Sequence, residues 1–317
     1  MEIINDLTKR LAFKNPVVTI GNFDGVHLGH QKIFRQVVDK AEEIGGTPIV
    51  ITFHPHPMRV LAPERGLKMI YSPVDKQKLI GRIGIKALIC ISFDRNFAHT
   101  DPEVFIRNVL VDMIGAKWII VGHSYSFGKG KKGTTSMLRI KGRKYGFKVH
   151  VVRYARVSDG VVSSSRIRGL LLRGRVREAS SMLGRAYHIS GTVITGAGRG
   201  GPLLHTPTAN ITTSSELIPK EGVYAVRVSV PSMPSEIYDG VANIGNNPTF
   251  NETAMSYEVH LFDFNRNIIG EKLQIHFIDR IREEKKFLSV QELIENIDKD
   301  IAQAKKILSS NKDTLFL

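Results

Sequence analysis

Gly21-Asn22-Phe23-Asp24-Gly25-Val26-His27-Leu28-Gly29-His30 stands between a β-branched run at residues 16–20 and a segment whose apolar residues Ile33, Phe34, Val37, Val38, Ala41 and Ile44 recur at helical spacing. The order predicts a strand, a glycine-containing turn and a helix opened by His27 and His30. In a parallel sheet, ligands bind outside the carboxyl ends of the strands. The unpaired N–H groups that begin the following helix favour phosphate. Two histidines three apart fall on one helical face, where both can donate to a phosphate oxygen. Gly29 lets a nucleotide lie close to the backbone. Taken alone, the pair also fits a surface or core pair, or two metal ligands, although the sequence offers no third ligand cluster.

Outward from this stretch the first half alternates. Strands are expected at residues 48–53, 87–93, 117–121 and 148–152, with helices at 75–83 and 104–114. Thr100 and Glu103 read as a capping box for the latter helix, with Pro102 in its first turn. Alternation of this kind implies a parallel sheet covered by helices on both faces. After residue 184 the rhythm changes to strands at 187–194, 222–230, 238–244, 256–264 and 272–278, then one amphipathic helix at 290–308. That pattern predicts a small antiparallel barrel or sandwich. A chain of 317 residues is natural for two cores, and the boundary is expected near Arg185, giving domains 1–185 and 186–317.

The 45 Lys and Arg against 30 Asp and Glu leave a net charge of +15. No acidic residue falls between Asp112 and Asp159, a stretch holding Lys129, Lys131, Lys132, Arg139, Lys141, Arg143, Lys144 and Lys148. Such charge suits nucleotide phosphates, nucleic acid or a membrane surface, and charge alone does not choose among them. The single cysteine, Cys90, lies in an apolar run and reads as a core residue. A disulfide within the chain is excluded. No secretory signal opens the sequence and no apolar run approaches the roughly 20 residues of a membrane-spanning helix, so a cytoplasmic protein without a membrane partner is expected. A homo-oligomer is left open.

The decapeptide resembles the HxGH nucleotidyltransferases, and specifically the adenylyltransferase half of the prokaryotic bifunctional riboflavin kinase/FMN adenylyltransferase (FAD synthetase) family. Thr52-Phe53-His54-Pro55-His56-Pro57 is similar to the family's TFxPHP, and Val162-Ser163-Ser164-Ser165-Arg166-Ile167-Arg168 to its ISSTRIR. In the second half, Thr206-Pro207-Thr208-Ala209-Asn210 resembles the kinase PTAN motif, Gly222-Val223-Tyr224-Ala225-Val226 its GVYAV strand and Asn243-Ile244-Gly245-Asn246-Asn247-Pro248-Thr249-Phe250 its NIGxxPTF loop. Tyr257-Glu258-Val259-His260-Leu261-Phe262-Asp263-Phe264 and Arg282-Glu283-Glu284-Lys285-Lys286-Phe287 are similar to ExHxxDF and RxExKF. The motifs follow the family order over essentially the whole chain.

The resemblance implies a Rossmann-like, parallel-sheet adenylyltransferase domain followed by a β-barrel kinase domain with a C-terminal helix. It implies FMN formation from riboflavin and ATP, then FAD formation from FMN and ATP with release of pyrophosphate. It further implies His27, His30 and Arg166 as catalytic in adenylyl transfer and Glu258 as the base of the kinase. Gly21, Asn22, Phe23, Asp24, Gly29, His56, Ser124, Phe127, Ser164, Ser165 and Arg168 would bind nucleotide or flavin, as would Pro207, Thr208 and Asn210. The hard oxygen donors of Thr208 and Asn210 would hold Mg2+.

Two departures stand out. Ser124 occupies the Asp/Asn position of the family's Val-Gly-x-Asp/Asn-Phe-x-Phe-Gly segment, and His205 a glycine position before PTAN. Ser124 has a shorter reach toward flavin or ribose at the adenylyltransferase site, while the altered loop before Thr208 motivates a rival reading, an FMN adenylyltransferase with a weak or inactive kinase half. A second rival, a nucleic-acid-binding protein, rests on the charge and on the resemblance of the His27–His30 motif to that of class I tRNA synthetases, but the sequence lacks those enzymes' KMSKS signature and any stacked-aromatic RNA motif. Gly128-Lys-Gly-Lys-Lys-Gly133-Thr134-Thr135 nearly spells a P-loop, but Thr134 stands where that motif needs lysine.

Overall fold

In the computed structural model, residues 1–5, 9–157, 160–195, 208–233, 236–245 and 256–311 are described. They form two compact units, Met1–Ser163 and Ser164–Leu317. This division falls ahead of the expected Arg185, because helices Ser164–Leu171 and Val176–Leu183 pack on each other and the second packs on strands of the following barrel.

The first unit is built on β1 (Glu2–Ile4), β2 (Val17–Ile20), β3 (Pro48–His54), β4 (Ala87–Ser92), β5 (Trp118–Gly122) and β8 (Lys148–Val152), with a hairpin of β6 (Ser126–Phe127) and β7 (Gly133–Thr134) between the last two. The six-stranded sheet runs β1-β4-β3-β2-β5-β8, and every pairing is parallel. All four residues of β2 are buried, as expected of a strand covered on both faces. From β2 the chain steps outward through β3 and β4, then returns to the other side at β5. The β2/β5 border is therefore the topological switch point, where a crevice opens at the carboxyl ends of an open α/β sheet.

Helix α1 (Leu28–Glu43) buries Ile33, Phe34, Val37 and Ala41, the stripe its sequence spacing predicts. The helix expected at 104–114 starts earlier, at Pro102, and passes into π winding over Ile106–Met113. Its cap is Asp101, whose carboxylate accepts the Glu103 N–H at 2.8 Å. Thr100 does not cap it, because the carboxylate one residue later reaches the first unpaired donors. Cys90, expected in the core, is half-buried on β4.

The second unit holds β11 (Tyr187–Ile194), β12 (Ala209–Thr213), β13 (Gly222–Ser229), β14 (Ile237–Gly245), β15 (Ser256–Leu261) and β16 (Lys272–Arg282), while β9 (Arg156–Val157) and β10 (Gly160–Val161) pair at the end of the first. The six close into an antiparallel barrel in the order β11-β12-β15-β14-β13-β16. Strand β12, read from sequence only as an extended motif, is too short and polar to show an apolar period. Side chains alternate along each strand. Tyr187, Tyr224, Val226 and Phe277, all 0% exposed, fill the interior with Ala242, Ile244 and Val259.

The opposite face at Ala225, Phe262 and Ile278 is covered by Ala304 and Leu308 of the C-terminal helix Val290–Ser310. Two guanidinium groups fasten that helix. Arg282 grips the buried Asp300 carboxylate through Nε at 3.0 Å and Nη2 at 2.8 Å. Arg227 donates to the carbonyls of Leu308 at 2.9 Å and Asn311 at 3.0 Å, satisfying orphan acceptors at the helix end. No helix among the described residues is long and apolar enough to cross a membrane.

Removing one member of a buried, bidentate ion pair strands the other charge, at a cost of about 3 kcal/mol. Asp300→Ala is therefore expected to lower the unfolding free energy of the barrel unit by that amount, while Asp298→Ala on the exposed side of the same helix leaves it unchanged; urea titration followed by circular dichroism checks both.

Candidate active sites

The turn between β2 and α1 lies at the switch point. Its backbone is left-handed at Phe23 (φ 51°), Gly25 (φ 82°) and Val26 (φ 42°). Such values are uncommon outside glycine and outlying for β-branched or bulky residues. Hydrogen bonds from several elements hold them: Gly21 N–H to Ile51 O at 3.1 Å, Thr52 Oγ1 to Asn22 O at 3.2 Å, Gln31 Nε2 to Val26 O at 2.9 Å, and the Ile70 N–H to the Asp24 carboxylate at 3.1 Å. Asp24 is 2% exposed and Phe23 3%, so both act from beneath the turn. Gly25 has no room for a Cβ, which would lie 2.8 Å from Ile70 Cδ1.

His27 is the N-cap of α1. Its Nδ1 accepts the His30 N–H at 3.3 Å, which puts its proton on Nε2 and makes that atom a donor. The His27 and His30 rings stack at 3.5 Å between centroids, and Phe23 meets the His30 ring edge-on at 5.2 Å. The pair is thus brought together by stacking on a cap rather than by sharing a helical face. A Cβ on Gly29 would come within 3.1 Å of the His27 ring, so this glycine makes room for the stack. His56 repeats the device after β3. It caps α2 (Pro57–Leu61), its Nδ1 accepting the Met58 N–H at 3.1 Å, again with Nε2 as donor.

Across the switch point, the turn after β5 carries Ser124, exposed, and Tyr125 and Phe127, whose rings stack at 5.4 Å. Phe127 is 8% exposed and packs in a run of rings that continues through Phe105 and Phe97 to Phe53. The near-P-loop segment forms no phosphate cradle: Thr134 Oγ1 instead caps helix Thr135–Tyr145 by accepting the Met137 N–H at 3.2 Å. Ser164, Ser165, Arg166 and Arg168 stand in helix Ser164–Leu171 at the head of the second unit.

In the barrel, Glu258 on β15 lies directly opposite Asn210 on β12 and Asn243 on β14. Residues in register share a face with Cβ atoms about 5 Å apart, so one carboxylate is flanked by two carboxamides. Their face is the one opposite the packed interior, since Ile211, Val259, Ala242 and Ile244 alternate inward. Thr208 precedes Asn210 by two residues and is half-buried. Glu284 packs against Gly245, where any side chain would collide with its carboxylate. Pro207 and His205 lie outside the described residues, as does the loop 246–250. Asn243 and Thr52 lie within sequence motifs that assign them no role, and no motif marks Lys76, which donates to Thr52 Oγ1 at 3.1 Å. Only sheet register and long-range contact reveal these three.

Burial pushes the Tyr125 hydroxyl far above the ordinary tyrosine range, and that hydroxyl has no hydrogen-bond partner among the described residues. An unsatisfied buried hydroxyl is destabilising, so Tyr125→Phe is expected to stabilise the first unit by about 1 kcal/mol, measured by urea denaturation followed by fluorescence.

Comparison with known proteins bears on both units. The FAD synthetase family model matches residues 10–166 and the riboflavin kinase family model residues 183–308. A bifunctional riboflavin kinase/FMN adenylyltransferase of Bacillus subtilis is 38% identical, covering 93% of this chain and 93% of its own. The protein of the same name from Haemophilus influenzae is 36% identical over 92% of this chain and 94% of its own. A solved structure described as a macrolide-efflux protein from Streptococcus pneumoniae superposes with a TM-score of 0.85 at 32% identity, covering 96% of this chain and 98% of that one. With one family model matching each half and relatives of 36–38% identity spanning nearly the whole length, the chain belongs to the bifunctional riboflavin kinase/FMN adenylyltransferase family.

Proposed function

We propose that the barrel unit phosphorylates riboflavin with ATP to give FMN and ADP, and that the first unit joins FMN to the adenylyl group of a second ATP, releasing pyrophosphate. The observation that carries the reading is the pairing of two differently built phosphate-chemistry sites in one chain: stacked histidines at a helix N-terminus, and a carboxylate flanked by two carboxamides.

In the kinase reaction Glu258 accepts the proton of the riboflavin 5′-hydroxyl as that oxygen attacks the γ-phosphorus. Asn210 and Asn243 hold the carboxylate in line from either side. Thr208 and Asn210 fit Mg2+, which keeps most of its waters and takes one or two protein oxygens together with substrate phosphates. Bound there, the ion would neutralise charge on the ATP phosphates.

In the adenylyl transfer the FMN phosphate attacks the α-phosphorus. The Nε2–H of His27 and the adjacent His30 ring stabilise charge building on the α-phosphate oxygens, in a site whose donors are already oriented. Turn and helix N–H groups add to this. His56 presents a second donor of the same kind. Arg166 and Arg168 neutralise the leaving pyrophosphate, a role that guanidinium charge fits. Ser124 offers the flavin a hydroxyl, with Phe127 holding its turn from below. Neither step requires a covalent intermediate on the protein. A cytoplasmic setting, where ATP is abundant and the lone thiol stays reduced, accords with this reading.

Incubation with MgATP and either riboflavin or FMN, followed by separation of the flavins, tests each half. Riboflavin must yield FMN, and FMN must yield FAD; failure of either removes that half of the proposal. Glu258→Gln is expected to lower riboflavin phosphorylation by about 10²–10⁴-fold with FAD formation from FMN intact. His30→Ala is expected to lower FAD formation by about 10²-fold with phosphorylation intact.

A further inference from the structure

Lys76, on α3 (Pro73–Arg82), points its ammonium into the space behind the signature turn. The residue is only 9% exposed. Its Nζ donates to the Thr52 hydroxyl at 3.1 Å and approaches the Asn22 carbonyl at 3.4 Å, across 54 residues of sequence. Both acceptors are neutral, although a buried ammonium is far better matched by a carboxylate. Asp24, the acidic group nearest in effect, gives its oxygens to the Ile70 N–H, and the Asp75 carboxylate on the same helix accepts the Ser72 hydroxyl at 2.7 Å. Ties from Ile51, Thr52, Gln31 and Ile70 also hold the turn. What Lys76 adds is charge, at one peptide.

That peptide links Asn22 to Phe23. In a trans peptide the C=O and the following N–H point in opposite directions. With the Asn22 carbonyl drawn back to Lys76 and Thr52, the Phe23 N–H is aimed away from them. It makes no hydrogen bond among the described residues. A cation on the carbonyl also polarises the amide and strengthens its N–H as a donor.

We propose that Lys76 is a positioning residue for adenylyl transfer: its ammonium orients and polarises the Asn22–Phe23 peptide so that the Phe23 N–H receives an anionic oxygen of the ATP polyphosphate. The inference rests on adenylyl transfer being the first unit's reaction. Burial lowers the Lys76 ammonium from the ordinary lysine range, and the neighbouring Cys90 thiol, on β4, and Asp24 act to raise it. The charged form serves polyphosphate binding, so binding is strong at low pH and lost as pH rises through that lowered value. Cys90 is held up by burial and partly offset by Lys76.

The test measures kcat and KM for ATP in FAD formation from FMN across pH 7–10, in the wild type, Lys76→Met and Lys76→Arg. Wild-type turnover of FMN to FAD checks the underlying reading separately. Riboflavin phosphorylation by the same preparations reports an intact chain. Lys76→Met is expected to lower kcat/KM for ATP in adenylylation by roughly ten- to a hundredfold, to flatten its alkaline fall, and to leave phosphorylation unchanged. Lys76→Arg, which stays charged throughout, is expected to keep the wild-type rate within about threefold and to move the alkaline limb upward. Adenylylation by Lys76→Met within about twofold of wild type would overturn the proposal. So would a Lys76→Met pH profile parallel to the wild type at reduced height, which is the signature of a merely structural loss.

Discussion

A backbone that turns left-handed at Phe23, Gly25 and Val26 in quick succession is the constraint on which the first unit depends. Each such residue outside glycine costs on the order of 1–3 kcal/mol and persists only where its surroundings over-determine it. Here they do. β3 supplies Ile51 O and Thr52 Oγ1, α1 supplies Gln31, and the segment before α3 supplies the Ile70 N–H. The benefit is a turn that drops His27 onto the end of α1 as its cap. With Nδ1 committed to the His30 N–H, the imidazole has one orientation and one tautomer. Donors fixed in advance need no reorganisation when charge develops on a phosphate, the condition under which electrostatic stabilisation is most effective.

The barrel solves a different problem. Its interior is filled by Tyr187, Tyr224 and Phe277, so polar chemistry has to sit on the other face, where Glu258, Asn210 and Asn243 lie in one row. That face is elsewhere closed by the C-terminal helix, held through Arg282–Asp300 and the Arg227 contacts to its last carbonyls. Apolar covering and polar site thus share one surface, divided along the strands. The alternation that buries Val259 is the same alternation that presents Glu258.

Capping recurs as the link between sequence and site. His27, His56, Asp101 and Thr134 each accept an N–H at the start of a helix. For Thr134 this accounts for a hydroxyl at the position where a P-loop would need lysine. For Asp101 it corrects the expected Thr100 cap by a single residue. For the two histidines it turns a structural need into a functional asset, since a ring held at Nδ1 presents Nε2–H.

Much of the architecture was legible in the sequence. The periods of α1 and of the β2, β3 and β13 strands are local, and local periodicity reports which face each element buries. The HxGH, PTAN and ExHxxDF segments are local as well, and they marked the chemistry before any contact was known. What only the tertiary structure decided is non-local. Strand β12 lacks an apolar period and takes its identity from pairing with β11 and β15. Asn243 becomes a neighbour of Glu258 through register alone, and Lys76 reaches Asn22 and Thr52 only because the tertiary fold returns α3 to the end of β3. The compact units divide before Ser164 because of where two helices pack, a choice made by buried surface rather than by motif. Sequence determined the elements and the kind of chemistry they carry; the pairing of strands and the packing of helices decided which side chains meet, because a register or a buried contact is a property of two distant segments at once.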